Sequence, residues 1–222
     1  MKVTNLLTQA DRDMFDRIDR DCIAMHVPTP PKTFIELSVI DGDGVEVERY
    51  TDRAHSWVRN AYNYLWQRFN GGNTVVGSTY GAGSLRTVQS SGSLWSFLNV
   101  LFNNSSEEAG PIVGTGSAAE SMESYSLTTK ILNGTTSGKL THNTTTFSTP
   151  SYDGVSKKWT SGVSKIFNNN SGAEINVSEV GLAGYESGQS MLMCRDVLAS
   201  PVTVPNAGQL TVTYTIEMTF PA

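Results

Sequence analysis

Residues 209–220 read QLTVTYTIEMTF, the clearest β-strand pattern in the sequence. Polar residues, most of them threonine, alternate with five apolar residues, which are Leu210, Val212, Tyr214, Ile216 and Met218. A period of two places all five apolar side chains on one face of a β-strand. The pattern therefore predicts a strand with one buried and one solvated face, which is typical of antiparallel sheets.

Other β-like runs, separated by turns rich in Gly, Asn and Ser, predict strands at residues 74–78, 94–101, 126–132, 139–147, 155–168, 175–182 and 191–197. Upstream, residues 33–40 and 45–50 flank two Asp-Gly pairs at 41–44, which indicate a hairpin turn. Residues 201–205 read PVTVP, so we expect an edge strand or a rigid connection there. These runs predict a mainly β protein, an antiparallel and jelly-roll-like β-sandwich.

The first 32 residues have a different pattern. Apolar residues recur every three or four positions within residues 9–25, which predicts an amphipathic helix; they are Met14, Phe15, Ile18, Cys22 and Met25. Three prolines follow and favour an extended linker; they are Pro28, Pro30 and Pro31. We therefore expect an N-terminal helical arm with a proline-rich linker at 1–32 and a sandwich domain at 33–222. The arm either packs on its own domain or docks on a neighbouring subunit.

A second helix is predicted at about 52–69, begun by Thr51 or Asp52 and ended by the Asn-Gly-Gly run at 70–72. Its apolar stripe consists of Val58, Ala61, Tyr62, Leu65 and Phe69. Trp57, Tyr64 and Trp66 widen the apolar surface beyond one stripe. The helix is therefore expected to be deeply buried or to share a face with another chain.

Composition excludes several classes of function. The chain has 222 residues, with 16 Lys and Arg against 21 Asp and Glu, and a net charge of −5. Its cations are scattered, which argues against nucleic-acid binding. The sequence has no apolar run long enough to span a bilayer and no signal-peptide pattern, so we expect no membrane association and synthesis in a cytoplasm. Cys22 and Cys194 do not form a disulfide framework.

No motif of nucleophilic, phosphate-binding or metal chemistry is complete. The glycines at 114–116 are not followed by an apolar helix, and the two Asp residues at 41 and 43 lack the remaining ligands of a calcium loop. We therefore predict no enzyme activity, no cofactor and no metal.

The sequence resembles a largely uncharacterised family of tailed-bacteriophage virion structural proteins. The matching segments are INVSEVGL at 175–182, MLMCRDV at 191–197, PVTVP at 201–205 and LTVTYTI at 210–216, preceded by HSWVRNAY at 55–62, VGTG at 113–116, LTTKI at 127–131 and GKL at 138–140. They cover most of the chain after residue 33.

This resemblance implies a virion component made in the bacterial cytoplasm: a neck or tail adaptor, a collar or a fibre-attachment protein, or alternatively a capsid decoration (cement) protein. The expected partners are portal or neck, tail or major capsid proteins and further copies of the chain in a homo-oligomer. The candidate assembly contacts are Met14, Phe15, Ile18, Pro28, Pro30, Pro31, Trp57 and Trp66. A third possibility is a host-glycan-binding module, with a site on the loop at 103–126 that includes Tyr125.

Three charged residues lie within otherwise apolar strands, where an unpaired ion would be costly to bury. They are Glu179, Arg195 and Asp196. We predict an ion pair, internal or between subunits, that joins Arg195 to one of the two acids. The alternative, that they point to solvent, stays open because a period of two does not tell which face of a strand is buried.

Overall fold

The computed structural model describes residues 2–4, 9–27, 29–54, 56–70, 78–79, 83, 85–86, 108–186 and 189–220. Its helices and strands, in chain order, are β1 (Lys2–Thr4), α1 (Gln9–Ala24), β2 (Lys32–Ile40), β3 (Glu46–Ala54), α2 (Arg59–Asn70), β4 (Ser78–Thr79), β5 (Leu85–Arg86), β6 (Gly110–Gly114), β7 (Thr141–His142), β8 (Thr146–Phe147), β9 (Ser151–Asp153), β10 (Lys158–Asn168), β11 (Ile175–Glu186), β12 (Gln189–Val204) and β13 (Gln209–Thr219).

The predicted mainly β, sandwich-like architecture with two helices is confirmed. The larger sheet has the order β1-β3-β2-β13-β10, and the short strands β7, β8 and β9 pair in turn along the outer edge of β10. The smaller sheet has the order β12-β11-β6. Pairing within both is antiparallel except between β1 and β3. Strands β4 and β5 form a separate pair.

Strand β13 holds the larger sheet together. It pairs with β10 through all of its residues and with β2 through nine register pairs. Its alternating pattern buries Leu210, Val212 and Tyr214 completely. They lie in one apolar cluster with side chains of the smaller sheet, such as Val180 and Leu182. The core therefore lies between the two sheets. Burial of each aliphatic side chain there stabilises the folded state by about 1.5–3 kcal/mol.

The hairpin between β2 and β3 is confirmed. The carboxylate of Asp41 accepts hydrogen bonds from the backbone N–H of Asp43 and of Val45, at 3.0 and 2.9 Å. Gly44 has a φ of 83°, which a residue without a Cβ adopts at little cost. On β2, Ile35, Leu37 and Val39 are completely buried, so the turn sets the register that brings them to the core.

The predicted start of the second helix is wrong. Asp52 belongs to β3, which continues pairing with β2 as far as Ala54. The next residues then bond to β12: the N–H of Arg195 donates to the Ser56 carbonyl oxygen, and the N–H of Val58 donates to that of Met193. Because the backbone is committed to these bonds, α2 begins only at Arg59.

The predicted stripe of α2 is also partly wrong. Tyr62 is 52% exposed, whereas Ala61 and Tyr64 are buried. Val58 is buried as well but precedes the helix. The side chains of residues 65–70 lie outside the described part of the chain.

Four of the downstream strand predictions are confirmed as β10, β11, β12 and β13, of which β11 and β12 are longer than predicted and β10 and β13 are shorter, and two segments differ. Residues 126–132 form only an isolated bridge beside β6, between Lys130 and Gly114. Residues 139–147 form β7 and β8 rather than one strand. Residues 201–204, expected to form an edge strand or a rigid connection, are the last residues of β12, so the edge strand is confirmed in the smaller sheet. The prediction at 94–101 and that at 74–78, apart from residue 78, lie outside the described residues.

Replacement of Leu37 with Ala will lower the free energy of unfolding by about 2–5 kcal/mol, because it leaves a cavity between the sheets. Urea denaturation of the purified chain measures the change. The control is Val45→Ala in the hairpin turn, where the side chain is 58% exposed, and a change within about 0.5 kcal/mol is expected there. Equal losses in the two variants would contradict this position of the core.

Candidate assembly surface and buried ion pair

Helix α1 lies on its own sheet through polar contacts. Asp19 places a carboxylate oxygen 2.7 Å from Nζ of Lys32 and 3.9 Å from a guanidinium nitrogen of Arg53. Arg12 lies 3.7 Å from the carboxylate of Asp52. We call Lys32, Asp52 and Arg53, which belong to β2 and β3, the arm seat. In this chain the arm therefore occupies a seat on its own domain.

One apolar residue of α1 joins these contacts. The Arg53 guanidinium carbon lies 3.9 Å from the centre of the Phe15 ring, a cation–π geometry. Burial lowers the pKa of Arg53 from its ordinary value, and the nearby Asp19 and Asp16 carboxylates oppose that shift. Phe15 and Ile18 are half-buried, so these two candidate contacts face the seat more than the solvent.

Four large apolar side chains of the arm are exposed. The exposed fractions are 42% for Met14, 55% for Ile23, 64% for Met25 and 42% for Val27. We call these four residues the exposed apolar residues of the arm. Met14 and Ile23 lie on opposite sides of α1, because they are nine positions apart, and Met25 and Val27 follow the last residue of the helix. Met14 was predicted from the sequence as an assembly contact, whereas Ile23, Met25 and Val27 were not. Helical spacing had placed Met25 in the apolar stripe of the helix. Large apolar side chains gathered on one short segment are typical of a surface that another molecule covers.

The arm ends in a defined cap. The N–H of His26 donates to the carbonyl oxygen of Ile23 at 3.1 Å, and the N–H of Val27 donates to that of Cys22 at 3.0 Å. His26 has a φ of 55°. This is the Schellman arrangement, in which a residue of left-handed conformation ends a helix.

The linker after the arm is held by hydrogen bonds to the end of β13. The N–H and the hydroxyl of Thr29 both donate to the carbonyl oxygen of Thr219, at 3.2 and 3.3 Å. Pro30 and Pro31 are exposed, whereas Pro28 lies outside the described residues. The chain is therefore fixed at Thr29 by the end of β13 and at His26 by the helix cap.

The ion pair predicted for Arg195 is internal, and Glu179 is its partner. Nε of Arg195 donates to Oε2 of Glu179 at 2.8 Å, with the two residues 2% and 0% exposed. The guanidinium also donates to the carbonyl oxygens of Ala118 and Ala119, at 2.9 and 3.2 Å, and to the hydroxyl of Thr128 at 2.8 Å. One buried cation thus holds two separate parts of the segment at 115–130.

The carboxylate holds the same segment from the other side. Glu179 accepts hydrogen bonds from the backbone N–H groups of Gly116, Thr128 and Thr129, at 3.2, 3.1 and 2.8 Å. These bonds explain why no continuous strand forms at 126–132: two of its amides bind a side chain instead of a neighbouring strand. A Cβ at Gly116 would overlap Oε1 of Glu179, so the approach requires glycine.

Asp196 was the other candidate partner, and its role differs. It is completely buried, and its carboxylate lies 3.0 Å from Sγ of Cys194, whose thiol donates to it. Burial raises the pKa of the Cys194 thiol well above its ordinary value, and the negative charge of Asp196 adds to the shift. Because the thiolate is the reactive form of cysteine, this pair is suited to a structural role and not to nucleophilic chemistry.

Trp57 lies at a small cavity beside α2. The cavity has a volume of about 270 Å³ and is lined by Ser56, Trp57, Tyr62, Glu120, Ser121 and Met122. Glu120 accepts a hydrogen bond from the Ser56 hydroxyl and another, of 2.7 Å, from the backbone N–H of Val197. Trp57 also packs against the main core. The side chain of Trp66 lies outside the described residues.

Sequence reasoning missed the arm seat and one buried lysine. Lys165 on β10 is 2% exposed, and its Nζ donates to the Ala109 carbonyl oxygen at 2.9 Å. The alternation of Val163, Lys165 and Phe167 was the signal that could have found it, because it places lysine on the apolar face of the strand. No sequence pattern indicated the arm seat, since the residues that pair there, such as Asp19 and Arg53, are far apart in sequence.

Comparisons with known proteins identify no relative: no family model, no curated protein and no solved structure matches the chain. The resemblance to phage virion proteins therefore stays a prediction. Among the described residues, no helix has the length and apolarity needed to cross a membrane. In the same residues, no group of three or more His, Cys, Asp or Glu side chains is arranged to hold a metal ion.

Replacement of Arg195 with Met will lower the free energy of unfolding by about 3–5 kcal/mol, because it leaves the Glu179 carboxylate buried without its cation. The segment at 115–130 will lose protection, which hydrogen exchange followed by mass spectrometry measures. The control is Arg49→Met, which removes an ion pair with Glu36 and Glu46 on the surface. A much smaller loss is expected there, and similar losses would contradict a structural role for the buried pair.

Proposed function

We propose that this protein is a non-enzymatic structural component of a tailed-phage virion, in which the N-terminal arm mediates assembly. The exposed apolar residues of the arm carry the proposal: four large apolar side chains are exposed on and just after a helix that contacts its own domain mainly through polar groups. Burying such side chains against another protein is favourable by about 25 cal/mol per Å² of apolar surface. The resemblance of the strand segments to phage virion proteins supports the same conclusion.

The arrangement of the charged groups supports a structural role. Glu179 and Arg195 satisfy each other and the backbone around them, and the Cys194 thiol is held in its protonated form. These buried groups make a rigid platform beneath exposed loops. We place the protein at the neck or tail, as an adaptor, collar or fibre-attachment protein, with decoration of the capsid as the alternative. Its partners are then other virion proteins and further copies of itself.

Deletion of residues 1–31 tests the proposal. The arm contributes no described side chain to the buried core, so the truncated chain is expected to fold, as circular dichroism and thermal unfolding will show. Phage assembled with the truncated chain will lack it, which mass spectrometry of purified particles measures. Incorporation at the normal level would refute the role of the arm.

A double substitution tests the exposed apolar residues of the arm without deleting the arm. Ile23→Asp combined with Met25→Asp keeps the contacts with the arm seat and removes two exposed apolar side chains, so incorporation is expected to fall. The control is Val155→Asp at the β9–β10 turn, where the side chain is 94% exposed. Incorporation of this control is expected at the normal level.

The cavity beside α2 favours one other function, binding of a host glycan. Trp57 and Tyr62 offer aromatic faces next to the Glu120 carboxylate and the Ser56 hydroxyl, and ligand sites combine apolar walls with a few polar groups in this way. Tyr125, five residues after Glu120, is 41% exposed.

Saturable binding on a glycan array, lost in Tyr62→Ala and kept in Tyr152→Ala, would favour this function. Tyr152 is the matched control because it is similarly exposed, at 55% compared with 52% for Tyr62, and lies on β9. If the protein has only the virion structural role, neither the unsubstituted chain nor the two variants will give a saturable binding signal.

A further inference from the structure

The cavity beside α2 has walls from separate parts of the chain, and the wall that carries Trp57 is attached to β12. The N–H of Arg195 donates to the Ser56 carbonyl oxygen at 3.1 Å, and the N–H of Val58 donates to the Met193 carbonyl oxygen at 3.0 Å. These bonds are made by the residues on either side of Trp57. The backbone that positions this tryptophan is therefore fixed before a ligand arrives, as a binding site requires.

The opposite walls are joined to each other in a similar way. The N–H of Arg59, the first residue of α2, donates to the Met122 carbonyl oxygen at 2.8 Å. Tyr62 lies within the first turn of the same helix, and both Tyr62 and Met122 line the cavity. The start of α2 and the segment at 120–122 thus hold an aromatic ring and a thioether beside the same space.

Glu120 sets the charge of the cavity. Among the described residues that line it, Glu120 is the only charged one. Its two carboxylate oxygens accept hydrogen bonds from the Ser56 hydroxyl and from the backbone N–H of Val197, which are neutral donors that fix the group and leave it charged. Nearby, Arg59 and Glu123 balance each other in an ion pair of 2.9 Å.

Two buried tyrosines respond to the same negative charge. Burial raises the pKa of Tyr50 and that of Tyr214, and the carboxylates of Asp196 and Glu120 add to both shifts, whereas Arg12 opposes the shift at Tyr50. Nearby negative charge disfavours an additional anion and favours a cation. The electrostatic environment around Glu120 is therefore suited to a cationic ligand.

Aromatic walls combined with a carboxylate fit an organic cation. The faces of tryptophan and tyrosine rings attract a cation, and the thioether of Met122 adapts to apolar substituents. The volume of about 270 Å³ suits a group of a few heavy atoms. A metal ion fits these walls poorly, because it requires several oxygen ligands and the described lining residues include one carboxylate.

We infer that the cavity binds an organic ammonium group, a cationic nitrogen bonded to carbon, between Trp57, Tyr62 and Glu120. The group belongs either to a small methylated amine or to an amino sugar within a glycan, and both sources present the same chemistry to the cavity. This inference deepens the second candidate function, on whose cavity it rests, by naming the charge of the ligand. It does not depend on the virion role.

Titration with choline chloride tests the charge of the ligand. The matched neutral probe is the alcohol of the same shape in which a carbon atom replaces the nitrogen. The indole N–H signal of Trp57, assigned by its loss in Trp57→Phe, is followed by NMR at constant ionic strength. We expect saturable binding of choline and binding of the alcohol that is weaker by about tenfold or more.

A second pair of probes tests the amino-sugar source. Glucosamine carries the ammonium group, whereas acetylation of the nitrogen in N-acetylglucosamine removes the charge. Binding of choline alone would assign the cavity to a methylated amine, and binding of glucosamine would assign it to an amino sugar; either result supports the inference. Binding of neither ammonium probe, or equal binding of the charged and neutral members of both pairs, would overturn it.

A charge substitution tests the role of Glu120. Glu120→Gln keeps the size of the side chain and removes its charge, so the affinity for the ammonium probe that binds is expected to fall about tenfold. The control is Glu123→Gln, which removes a nearby carboxylate that pairs with Arg59 and does not line the cavity. Its affinity is expected to stay within about twofold of the unsubstituted chain. Equal affinities in the two variants would contradict the inference.

A second substitution covers the case in which Glu120→Gln does not fold, since Glu120 also holds two hydrogen bonds. Thermal unfolding is measured on every variant. Tyr62→Ala removes an aromatic wall, and Tyr152→Ala is its control because both side chains are exposed, at 52% and 55%. Loss of ammonium binding in Tyr62→Ala alone would support the inference, and unchanged binding in both variants would overturn it.

These results are distinguishable from a failure of the glycan function. A glycan-array signal confined to neutral glycans and lost in Tyr62→Ala, with no binding of choline or glucosamine, would overturn this inference and retain the glycan function. Binding of choline with no glycan-array signal would refute the glycan function and retain the inference.

Discussion

The buried ion pair of Arg195 and Glu179 holds the smaller sheet to the segment that covers it, through the other hydrogen bonds that the two side chains make. Two charges removed from water cost several kcal/mol each, and their mutual attraction offsets this only where their remaining donors and acceptors are also satisfied. Here Arg195 donates to two backbone carbonyl oxygens and a hydroxyl, and Glu179 accepts from three backbone amides. The pair thus substitutes for the strand ladder that residues 126–132 do not form.

The described residues form two apolar clusters. The main core lies between the sheets, and a smaller cluster on the smaller sheet joins Leu127 to Ile112, Ala183 and Leu192. Leu127 lies next to Thr128, whose amide and hydroxyl are both bound by the buried pair. The ion pair therefore also fixes the position of an apolar residue that would otherwise belong to a loop. The cavity near Trp57 borders the same segment through Glu120, Ser121 and Met122.

The arm is held in a contrasting way. Its contacts with the seat are partly buried ion pairs and one cation–π contact, whereas the sandwich is held by apolar burial between its sheets. A segment held in this manner can exchange its partner while the domain beneath it stays folded. The proposed assembly role of the arm rests on this difference in the kind of contact.

The sandwich-like architecture, the hairpin at 41–44 and the amphipathic arm were predictable from local patterns, because periods of two and of 3.6 residues and Asp-Gly turns are local properties of the chain. It also indicated that Arg195 needs a partner, since burial of an unpaired ion is costly. Which of the two acids pairs with Arg195 is visible only in the folded structure. A bulge between Val177 and Glu179 changes the residues of β11 that face the main core, from Val177 before it to Val180 after it. A period-two pattern does not show such a shift, nor does it show that Asp19 meets Lys32 and Arg53, because residues distant in sequence are brought together only when the sheet is assembled.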